Sequence, residues 1–426
     1  MKPGKGSTVV AAALAGVLAL SACGGGEAKD NGPANLRMTV WSANEAHLKL
    51  FNEIADEYRK THPDVAEIKF DPIPFENYST TLTTQIAGGN APDLAWVLES
   101  SAPDFVASGA LLPLDDTLKK ADGYQYDDLS PATLKLWQND GKLYGYPFST
   151  SPFGVFVNTD LLKKAGQKTP AELIAAGQWT WDNALAAAAA VNGKAGKAGL
   201  VIRDFDYKGW DNLSTFWTGW GARAWSEDGK SCGFASPEMV DAMTTLHKAI
   251  FTTKALPGPG TTADFFAGDA AMTITQISRA SLLKDDGFAW DLVPLPAGPK
   301  GPYSVFGQGG IGVMKKSPHA DVAADFLAFL TNPTNSAKLA QFFPPPRQSQ
   351  LTAETLAKAN PKLKPEQLQK VVIDGITNGV VKPNHAGQAE LSQQVRAGLD
   401  PLWQPDADVK AVLDGVCAKI QPLLAK

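Results

Sequence analysis

Three glycines in the second half of the chain have the spacing of a dinucleotide-binding loop. Gly307, Gly309 and Gly312 form the pattern G-x-G-x-x-G within YSVFGQGGIGVMKKS. A dinucleotide site needs the third glycine to open a helix that faces the pyrophosphate, with an acidic residue about 20 positions further on at the end of the next strand. Here residues 311–314 are strand-like, and a helix is expected only near Pro318. The glycines therefore predict a strand whose backbone a ligand can approach closely, and no dinucleotide.

Other reactive side chains show no recognisable catalytic or metal-binding spacing. The five histidines lack the spacing of metal ligands, and the chain has no G-x-S-x-G nucleophile motif. A glycoside hydrolase needs two carboxylates beside the scissile bond, and 44 acidic residues leave that class open. A net charge of -5 without a Lys/Arg-rich run argues against nucleic-acid binding. We therefore expect no metal, no cofactor and no nucleic-acid partner.

The beginning of the chain has the pattern of an export signal. Lys2 and Lys5 precede an apolar run over residues 9–20, which is shorter than the roughly 20 residues of a stable membrane span. A transmembrane anchor is the alternative. The ending Leu-Ser-Ala-Cys resembles the lipobox of bacterial lipoproteins, which implies a signal peptide over residues 1–22 and lipidation of Cys23. Residues 23–35, rich in glycine and polar side chains, then form a flexible tether on the outer face of the cytoplasmic membrane.

The two remaining cysteines, Cys232 and Cys417, lie far apart in the sequence. Disulfides persist in exported proteins, so these residues can pair. Two buried free thiols are the alternative that the sequence leaves open.

Strands alternate with helices in the first quarter of the chain. A β-rich stretch ending at Trp41 precedes a helix with apolar residues at helical spacing. Residues 68–73 and 94–97 are the next strands, with a helix over 78–87 between them. This order predicts parallel βαβ units with right-handed crossovers.

Later segments carry further boundary patterns. A strand pair is expected around Pro147 and Pro152, followed by a short helix that ends at Gly166. Thr180 has the character of an N-cap before an alanine-rich helix. Ser317 is expected to cap another helix, with Pro318 as its first residue.

Several stretches in the same order resemble a known family. They are LRMTVWSANE, LTTQIAGGNAPDLAWV, LYGYPFSTSPFGVFVNTDLLKKAG, TWDNALAAAAA, FFAGDAAMTIT and VAADFLAFLTNP. Together they resemble the extracellular solute-binding proteins of carbohydrate ABC importers, the maltose-binding-protein-like group. The resemblance covers essentially the whole chain after the tether and implies an α/β, two-lobed periplasmic-binding-protein-like type II fold. Each lobe would be a mixed sheet flanked by helices, and hinge strands would join the lobes.

The resemblance also implies lobe boundaries. Residues 36–148 with 305–343 would form the N-terminal lobe, and residues 149–304 with 344–426 the C-terminal lobe. The chain would cross between them near 147–153, 304–307 and 343–347. Gly307, Gly309 and Gly310 would then lie close to a hinge and to the ligand cleft.

Position by position, the resemblance implies a set of ligand contacts at the ends of strands and at the hinges. These residues are Trp41, Ser42, Asn44, Glu45, Glu99, Ser100, Ser149, Ser151, Trp210, Asp211, Gln276, Ser278, Arg279, Gly307, Gly309, Gly310 and Arg347, with His385 and Gln388 as weaker candidates. Serines at the first hinge depart from the carboxylate or amide that the family often places there, which leaves the identity of the ligand open.

Three of these positions have a structural alternative. Trp41 is equally an aromatic cap on its strand, and Arg347 is equally a solvated hinge arginine. Trp210 is expected to offer a stacking ring to the ligand, with Asp211 beside it as a hydrogen-bond acceptor. The alternative for Trp210 is a place in the hydrophobic core. Core positions are the expectation for Trp217, Trp220 and Trp225.

The function implied is capture of a sugar or oligosaccharide by hinge closure. A monomer would deliver the ligand to ABC permease subunits driven by a cytoplasmic ATPase, with no catalysis of its own. The same architecture with a polyamine, iron complex or oligopeptide as ligand, an exported glycoside hydrolase, and a lipoprotein receptor for another protein are the alternatives.

Overall fold

The computed structural model describes residues 32–202, 209–258, 263–359 and 361–425. The predicted signal peptide, Cys23 and the tether up to residue 31 lie outside the described residues.

Eleven strands lie in the described part of the chain. They are β1 Ala34–Val40, β2 Val65–Pro72, β3 Leu94–Leu98, β4 Gln138–Asn139, β5 Lys142–Leu143, β6 Tyr146–Asn158, β7 Ala198–Ile202, β8 Ala270–Gln276, β9 Trp290–Val293, β10 Val305–Val313 and β11 Val380–Val381. The large sheet has the order β2-β1-β3-β10-β6-β8-β7, with β11 beside β10 and β9 beside β6. The β1–β2 and β1–β3 pairs are parallel, which confirms the expected βαβ units. β10 runs antiparallel to β3 and β6, so the sheet is mixed.

The helices flank this sheet. They are α1 Glu45–Arg59, α2 Tyr78–Ala87, α3 Ala102–Ala107, α4 Asp115–Lys120, α5 Pro131–Leu134, α6 Thr159–Lys164, α7 Pro170–Ala175, α8 Trp181–Ala195, α9 Ser214–Trp217, α10 Pro237–Phe251, α11 Ala320–Leu330, α12 Pro333–Leu339, α13 Ala353–Ala359, α14 Pro365–Gln367, α15 Asp374–Asn378, α16 Gln388–Leu399 and α17 Val409–Leu424. Thr180 caps α8 through the backbone N–H of Asn183, as its sequence predicts.

Buried apolar side chains form separate cores. The first core takes its residues from 34–148 and 311–343. The second takes its residues from 153–305 and 391–424, and a third, smaller one lies around α13 to α15. We refer to the elements around the first core as the N-terminal lobe and to those around the other two cores as the C-terminal lobe. Apolar burial contributes about 25 cal/mol per Å², so each lobe has its own source of stability.

The strand β6 belongs to both lobes. A strand pair was expected around Pro147 and Pro152, but the structure has one strand of 13 residues. Its first half pairs with β10 up to Pro152, and its second half pairs with β8 and β9 from Phe153 onward. The prolines do not interrupt the strand, because a proline lacks only the backbone N–H donor. At Pro152 the neighbouring strands of β6 also change, so a missing donor is tolerated there.

The helix α11 begins two residues later than the sequence indicates. Ser317 was expected as its N-cap and Pro318 as its first residue, but the helix begins at Ala320 with His319 at the cap. The Ser317 hydroxyl donates to Asp93 and accepts from the His319 N–H. Because it is engaged with the loop before β3, Ser317 orders the turn before the helix.

Candidate functional site between the two lobes

An aromatic corner lies at the end of β1. The half-buried ring of Trp41 packs edge-on against Trp96 and Tyr78, with ring centroids 4.6 and 5.3 Å apart. Phe75 stands perpendicular to Trp41 at 6.3 Å and is 55% exposed, which is uncommon for a ring of its size. Trp41 therefore covers the strand end, and its residue as a whole is only half-buried, so its contact with a ligand stays a prediction. Two perpendicular rings offer faces for the C–H surfaces of a ligand.

The glycines of β10 make room for this corner. A Cβ on Gly309 would lie 2.8 Å from Cη2 of Trp41, so only glycine lets the indole rest on the strand. A Cβ on Gly307 would collide with the side-chain amide of Gln276 and lie 3.3 Å from Oε1 of Glu99. Gly310 differs, because the ring of Trp137 fills the space at its α-carbon. Trp137 belongs to the first core, so Gly310 is placed away from the corner.

Two serines of β6 lie opposite these glycines. Ser149 pairs with Gly309 and Ser151 with Gly307 in the antiparallel register. Directly opposite residues project from the same face of a sheet, so both hydroxyls share the face over which Trp41 and Gln276 lie. Ser151 is 4% exposed, and its Oγ has no hydrogen-bond partner among the described residues. A buried hydroxyl without a partner costs free energy that a bound molecule can recover.

Lys382 connects the two lobes beside these residues. Its Nζ lies 2.9 Å from Oε1 of Glu99, which follows β3, and 2.7 Å from Oδ2 of Asp211, which lies between the second-core residues Trp210 and Leu213. A third contact of 3.4 Å reaches Oδ1 of Asn212. An ammonium group has three donors, so these three oxygens account for all of them.

The electrostatics of Lys382 follow from its surroundings. Its side chain is 13% exposed, and those of Glu99 and Asp211 are 10% and 22% exposed. Desolvation acts to lower the pKa of Lys382, but the charges of Asp211 and Glu99 outweigh it, and its pKa is raised. The two carboxylates therefore stabilise the charged form of this lysine.

The loop after β11 makes a second contact with the N-terminal lobe. The Gly387 N–H donates to Oδ1 of Asp104 in α3 at 2.8 Å. His385 anchors the same loop to the C-terminal lobe, with Nε2 2.9 Å from the Gly229 carbonyl oxygen and its ring 5.4 Å from that of Trp225. Residues 382–387 thus reach from one lobe to the other twice; we call them the interlobe strap.

The predicted contacts that follow Trp41 stabilise the start of helix α1. Asn44 is the N-cap of α1, and its Oδ1 accepts from the N–H groups of Ala46 and His47. The Ser42 hydroxyl lies 2.7 Å from Nδ1 of His47. Glu45 is exposed in the first turn, where a carboxylate favours the helix dipole. Burial lowers the pKa of His47 to about 4.

Other predicted contacts lie apart from this group. Trp210 is 3% exposed, and its ring lies 6.2 Å from that of Trp217 and 5.9 Å from that of Phe234. Its ring is therefore part of the second core, which was the alternative to a ligand contact. Arg347 is fully buried, which rules out a solvated hinge arginine. Ser100 is half-buried directly after Glu99, and Ser278 and Arg279 lie in the turn after β8. Gln388 begins α16.

The two cysteines of the described chain form a disulfide bond. Cys232 and Cys417 are bonded, with their α-carbons 5.5 Å apart. The bond ties the segment before α10 to the last helix, α17, within the C-terminal lobe.

Sequence reasoning missed Lys382, Phe75 and Asn212. Lys382 follows two valines in VVKPN, and a lysine before proline after a short strand predicts no particular role. Phe75 stands between Pro74 and Glu76, where an isolated aromatic residue in a polar turn is a usable indication of a surface ring. Asn212 follows the predicted pair Trp210 and Asp211, so its neighbours alone could have suggested it.

No group of three or more acidic, histidine or cysteine residues suited to a metal ion occurs in the described ranges. None of the described helices has both the length and the apolar content needed to cross a membrane.

Comparisons with known proteins give consistent matches. Residues 42–337 match the family described as bacterial extracellular solute-binding protein. The sn-glycerol-3-phosphate-binding periplasmic protein of Escherichia coli is 28% identical over 336 residues, which cover 72% of this chain and 73% of that protein.

Two solved structures have similar folds. An ABC substrate-binding protein from Listeria monocytogenes, in complex with cycloalternan, has a TM-score of 0.78 at 24% identity and covers 93% of this chain and 99% of its own. The cyclic alpha-maltosyl-1,6-maltose binding protein from Arthrobacter globiformis also scores 0.78, at 19% identity, covering 92% and 100%. These similarities show a shared two-lobed fold.

Proposed function

The chain belongs to the bacterial extracellular solute-binding proteins, and from that premise we propose that its ligand is an uncharged sugar or oligosaccharide held between the lobes. Its role as an extracellular solute-binding protein for a transporter follows from the family. The identity of the solute is the part that we propose.

The observation that carries the proposal is the composition of the interlobe site. Sugars present apolar C–H faces and hydroxyls in fixed directions, so their sites combine aromatic rings with hydrogen-bonding groups. Trp41 and Phe75 supply two perpendicular rings at one end. Ser151 supplies a hydroxyl that has no hydrogen-bond partner in the described part of the chain, and Gln276 and Glu99 lie over the glycine opposite it.

The charge of the site favours an uncharged ligand. All three donors of Lys382 are directed at protein oxygens, and two of those oxygens belong to carboxylates. A phosphate ester would have to draw this ammonium away from a carboxylate and then lie beside the exposed negative charge. This argues against sn-glycerol 3-phosphate, for which the Escherichia coli relative is named.

Hinge closure is the proposed mode of capture. The chain crosses between the lobes near 147–153, 304–307 and 343–347, with the N-terminal lobe at 36–148 and 305–343 and the C-terminal lobe at 149–304 and 344–426. A ligand that contacts both lobes binds the closed arrangement more tightly and shifts the population toward it.

The proposed setting is the outer face of the cytoplasmic membrane. Lipidation of Cys23 after removal of residues 1–22 would anchor a monomer through the tether. The closed protein would deliver its ligand to membrane permease subunits driven by a cytoplasmic ATPase, and it would carry out no chemical step.

A thermal-shift panel tests the ligand class. The chain from residue 24 onward is melted with mono- and oligosaccharides, sn-glycerol 3-phosphate, polyamines, amino acids and short peptides. A ligand at a hundred times its dissociation constant adds about 2.7 kcal/mol, which raises the melting temperature by a few degrees. We expect a response to one sugar class and no cleaved product on incubation. A response only to the phosphate ester or to polyamines would replace the sugar, and cleaved sugar would identify a hydrolase.

Membrane fractionation tests the anchor. The full chain and its Cys23→Ser variant are expressed in a bacterium that processes lipoproteins. We expect the full chain in the membrane fraction and the variant in the soluble exported fraction. Equal membrane retention of both would favour the transmembrane alternative for residues 9–20.

A further inference from the structure

Lys382 lies at the contact between the lobes. Its effect on a ligand rests on the proposed function, whereas its effect on the arrangement of the lobes does not. We propose that Lys382 is a positioning residue that holds the lobes together and aims Glu99 and Asp211 at the ligand. Its ammonium ion links a carboxylate of the N-terminal lobe to one of the C-terminal lobe.

The partners of Lys382 distinguish it from ordinary surface lysines. Lys338 pairs with Glu57 inside the N-terminal lobe, and both side chains are more than a third exposed. Lys362 pairs with Asp285 inside the C-terminal lobe, where Asp285 is 93% exposed. Exposed pairs of this kind contribute little to stability. The Lys382 cluster is largely buried and crosses between lobes, so water and salt screen it weakly.

Charge repulsion explains why Lys382 controls closure. Closing the lobes brings Glu99 and Asp211 to the same nitrogen atom, 2.9 and 2.7 Å away. With the ammonium ion between them, the two negative charges attract a common partner. Without it, closure would place two poorly hydrated carboxylates side by side, whereas opening would let each regain water. Loss of the positive charge should therefore shift the population toward the open arrangement.

The interlobe strap fixes the position of the lysine. Val380 and Val381 pair with Val305 and Phe306 of β10, at the start of the second crossing. Beyond Lys382, the Gly387 N–H contacts Asp104 of the N-terminal lobe. The segment that carries the ammonium ion is thus held at the hinge strand and at α3.

The same contacts orient the ligand site. Oε1 of Glu99, which Lys382 contacts, lies over Gly307 beside the amide of Gln276. Lys382 uses one oxygen of each carboxylate, so the remaining lone pairs of Glu99 and Asp211 can accept hydrogen bonds from ligand hydroxyls. The bridge then determines the direction in which these acceptors point.

A charge-removal experiment tests this role in the soluble chain from residue 24 onward. The variants are Lys382→Met, which keeps the stem and removes the charge, and Lys382→Arg, which restores it. Lys362→Met is the matched control, because it removes a lysine whose ion pair lies within one lobe. Nitroxide labels at Lys49→Cys in α1 and Lys248→Cys in α10 report the interlobe distance, since these exposed sites belong to different lobes.

We expect Lys382→Met to lengthen the interlobe distance without ligand and to raise the Kd of the sugar found in the thermal-shift panel roughly tenfold or more, mainly through faster release. Lys382→Arg should restore most of the interlobe distance and most of the affinity. Lys362→Met should change neither the distance nor the Kd. A Lys382→Met variant that only melts earlier, with unchanged distance and Kd, would overturn the proposal.

Two further outcomes are decisive. If no sugar binds the wild-type chain, the proposed ligand class fails, and the distance in ligand-free Lys382→Met alone decides the role of the bridge. If Lys382→Met does not fold, Lys382→Gln replaces it, because a neutral amide of similar length can still donate to one of the three oxygens. An unchanged distance in that variant would equally refute the proposal.

Discussion

Two buried cations near the lobe crossings, Arg347 and Lys382, have opposite kinds of partner. Arg347 is fully buried and donates to the carbonyl oxygens of Thr331 and Gln125, with Asp128 at 3.7 Å. Its guanidinium group also lies 4.7 Å from the centre of the Tyr124 ring. Lys382 contacts side chains that belong to different lobes.

The difference shows how partners indicate the role of a buried charge. Thr331, Gln125 and Asp128 all belong to the N-terminal lobe, so Arg347 fastens the chain just after residue 343 to that lobe. The partners of Lys382 stay together only while the lobes are closed. A buried cation whose partners all lie in one lobe therefore stabilises the fold, and one whose partners lie in different lobes stabilises a conformation.

The largest expected effect comes from Arg347→Met. Removing the guanidinium group takes both of its N–H donors from the buried Thr331 carbonyl oxygen and takes the cation from Asp128, which should cost about 3–5 kcal/mol of unfolding free energy. Urea denaturation measures this loss. Arg347→Lys should recover little of it, because a lysine cannot reproduce the fork geometry. If the variant kept its stability and lost ligand affinity instead, Arg347 would belong with Lys382.

Breaking the disulfide should have the next largest effect. The double variant Cys232→Ser with Cys417→Ser removes a covalent tie inside the C-terminal lobe, 185 residues apart in sequence. We expect a loss of about 2–4 kcal/mol in the urea experiment. Because the tie lies within one lobe, the Kd of the folded protein should stay unchanged. An increased Kd would contradict the idea that contacts within one lobe affect stability without affecting ligand binding.

Acid should weaken the region around the third crossing. His47 lies 4.4 and 4.9 Å from the rings of Phe342 and Phe343, and burial lowers its pKa from 6.5 to about 4. The folded state disfavours the charged ring, so this contribution is complete above pH 6.5 and is lost as the pH falls toward 4. We expect a loss of roughly 1–2 kcal/mol, discounted for partial exposure. In His47→Asn, unfolding curves over this range should depend less on pH.

The smallest expected effect belongs to the aromatic corner. Phe75→Ala removes an exposed ring and should change stability by less than about 0.5 kcal/mol. Loss of a stacking face should weaken sugar binding by about 1 kcal/mol, roughly fivefold in Kd. Leu282→Ala is the matched control, since Leu282 is 43% exposed away from the corner. Calorimetric titration of both variants would contradict the assignment if their Kd values changed equally.

Much of the fold could be predicted from the sequence. Alternating strands and amphipathic helices gave β1 to β3 with α1 and α2, because each element carries its own periodicity. The comparisons confirm the resemblance to extracellular solute-binding proteins and the two-lobed fold. The length of β6 was missed, because proline is expected to interrupt a strand and a change of strand partner leaves no mark on the sequence.

The candidate site was harder to predict, and its ligand contacts stay predictions. Glu99 and Asp211 were chosen for their positions after a strand and beside an aromatic residue, and the structure brings them to one nitrogen atom. The lysine that joins them is distant in sequence from both, so only the fold reveals it. Trp210 and Arg347 carry suitable chemical groups, but packing inside one lobe uses those groups for stability.

The division of the first core between two separate stretches of the chain has a consequence for how the molecule is made. The first core needs residues 311–343, which the ribosome adds after nearly all strands of the second lobe. The N-terminal lobe therefore cannot be completed until the chain has been made as far as residue 343, and a shortened gene ending at β6 would encode a lobe without its strand β10. If the chain is exported before it folds, as the predicted signal peptide implies, this late completion delays folding of the N-terminal lobe until most of the chain has been made.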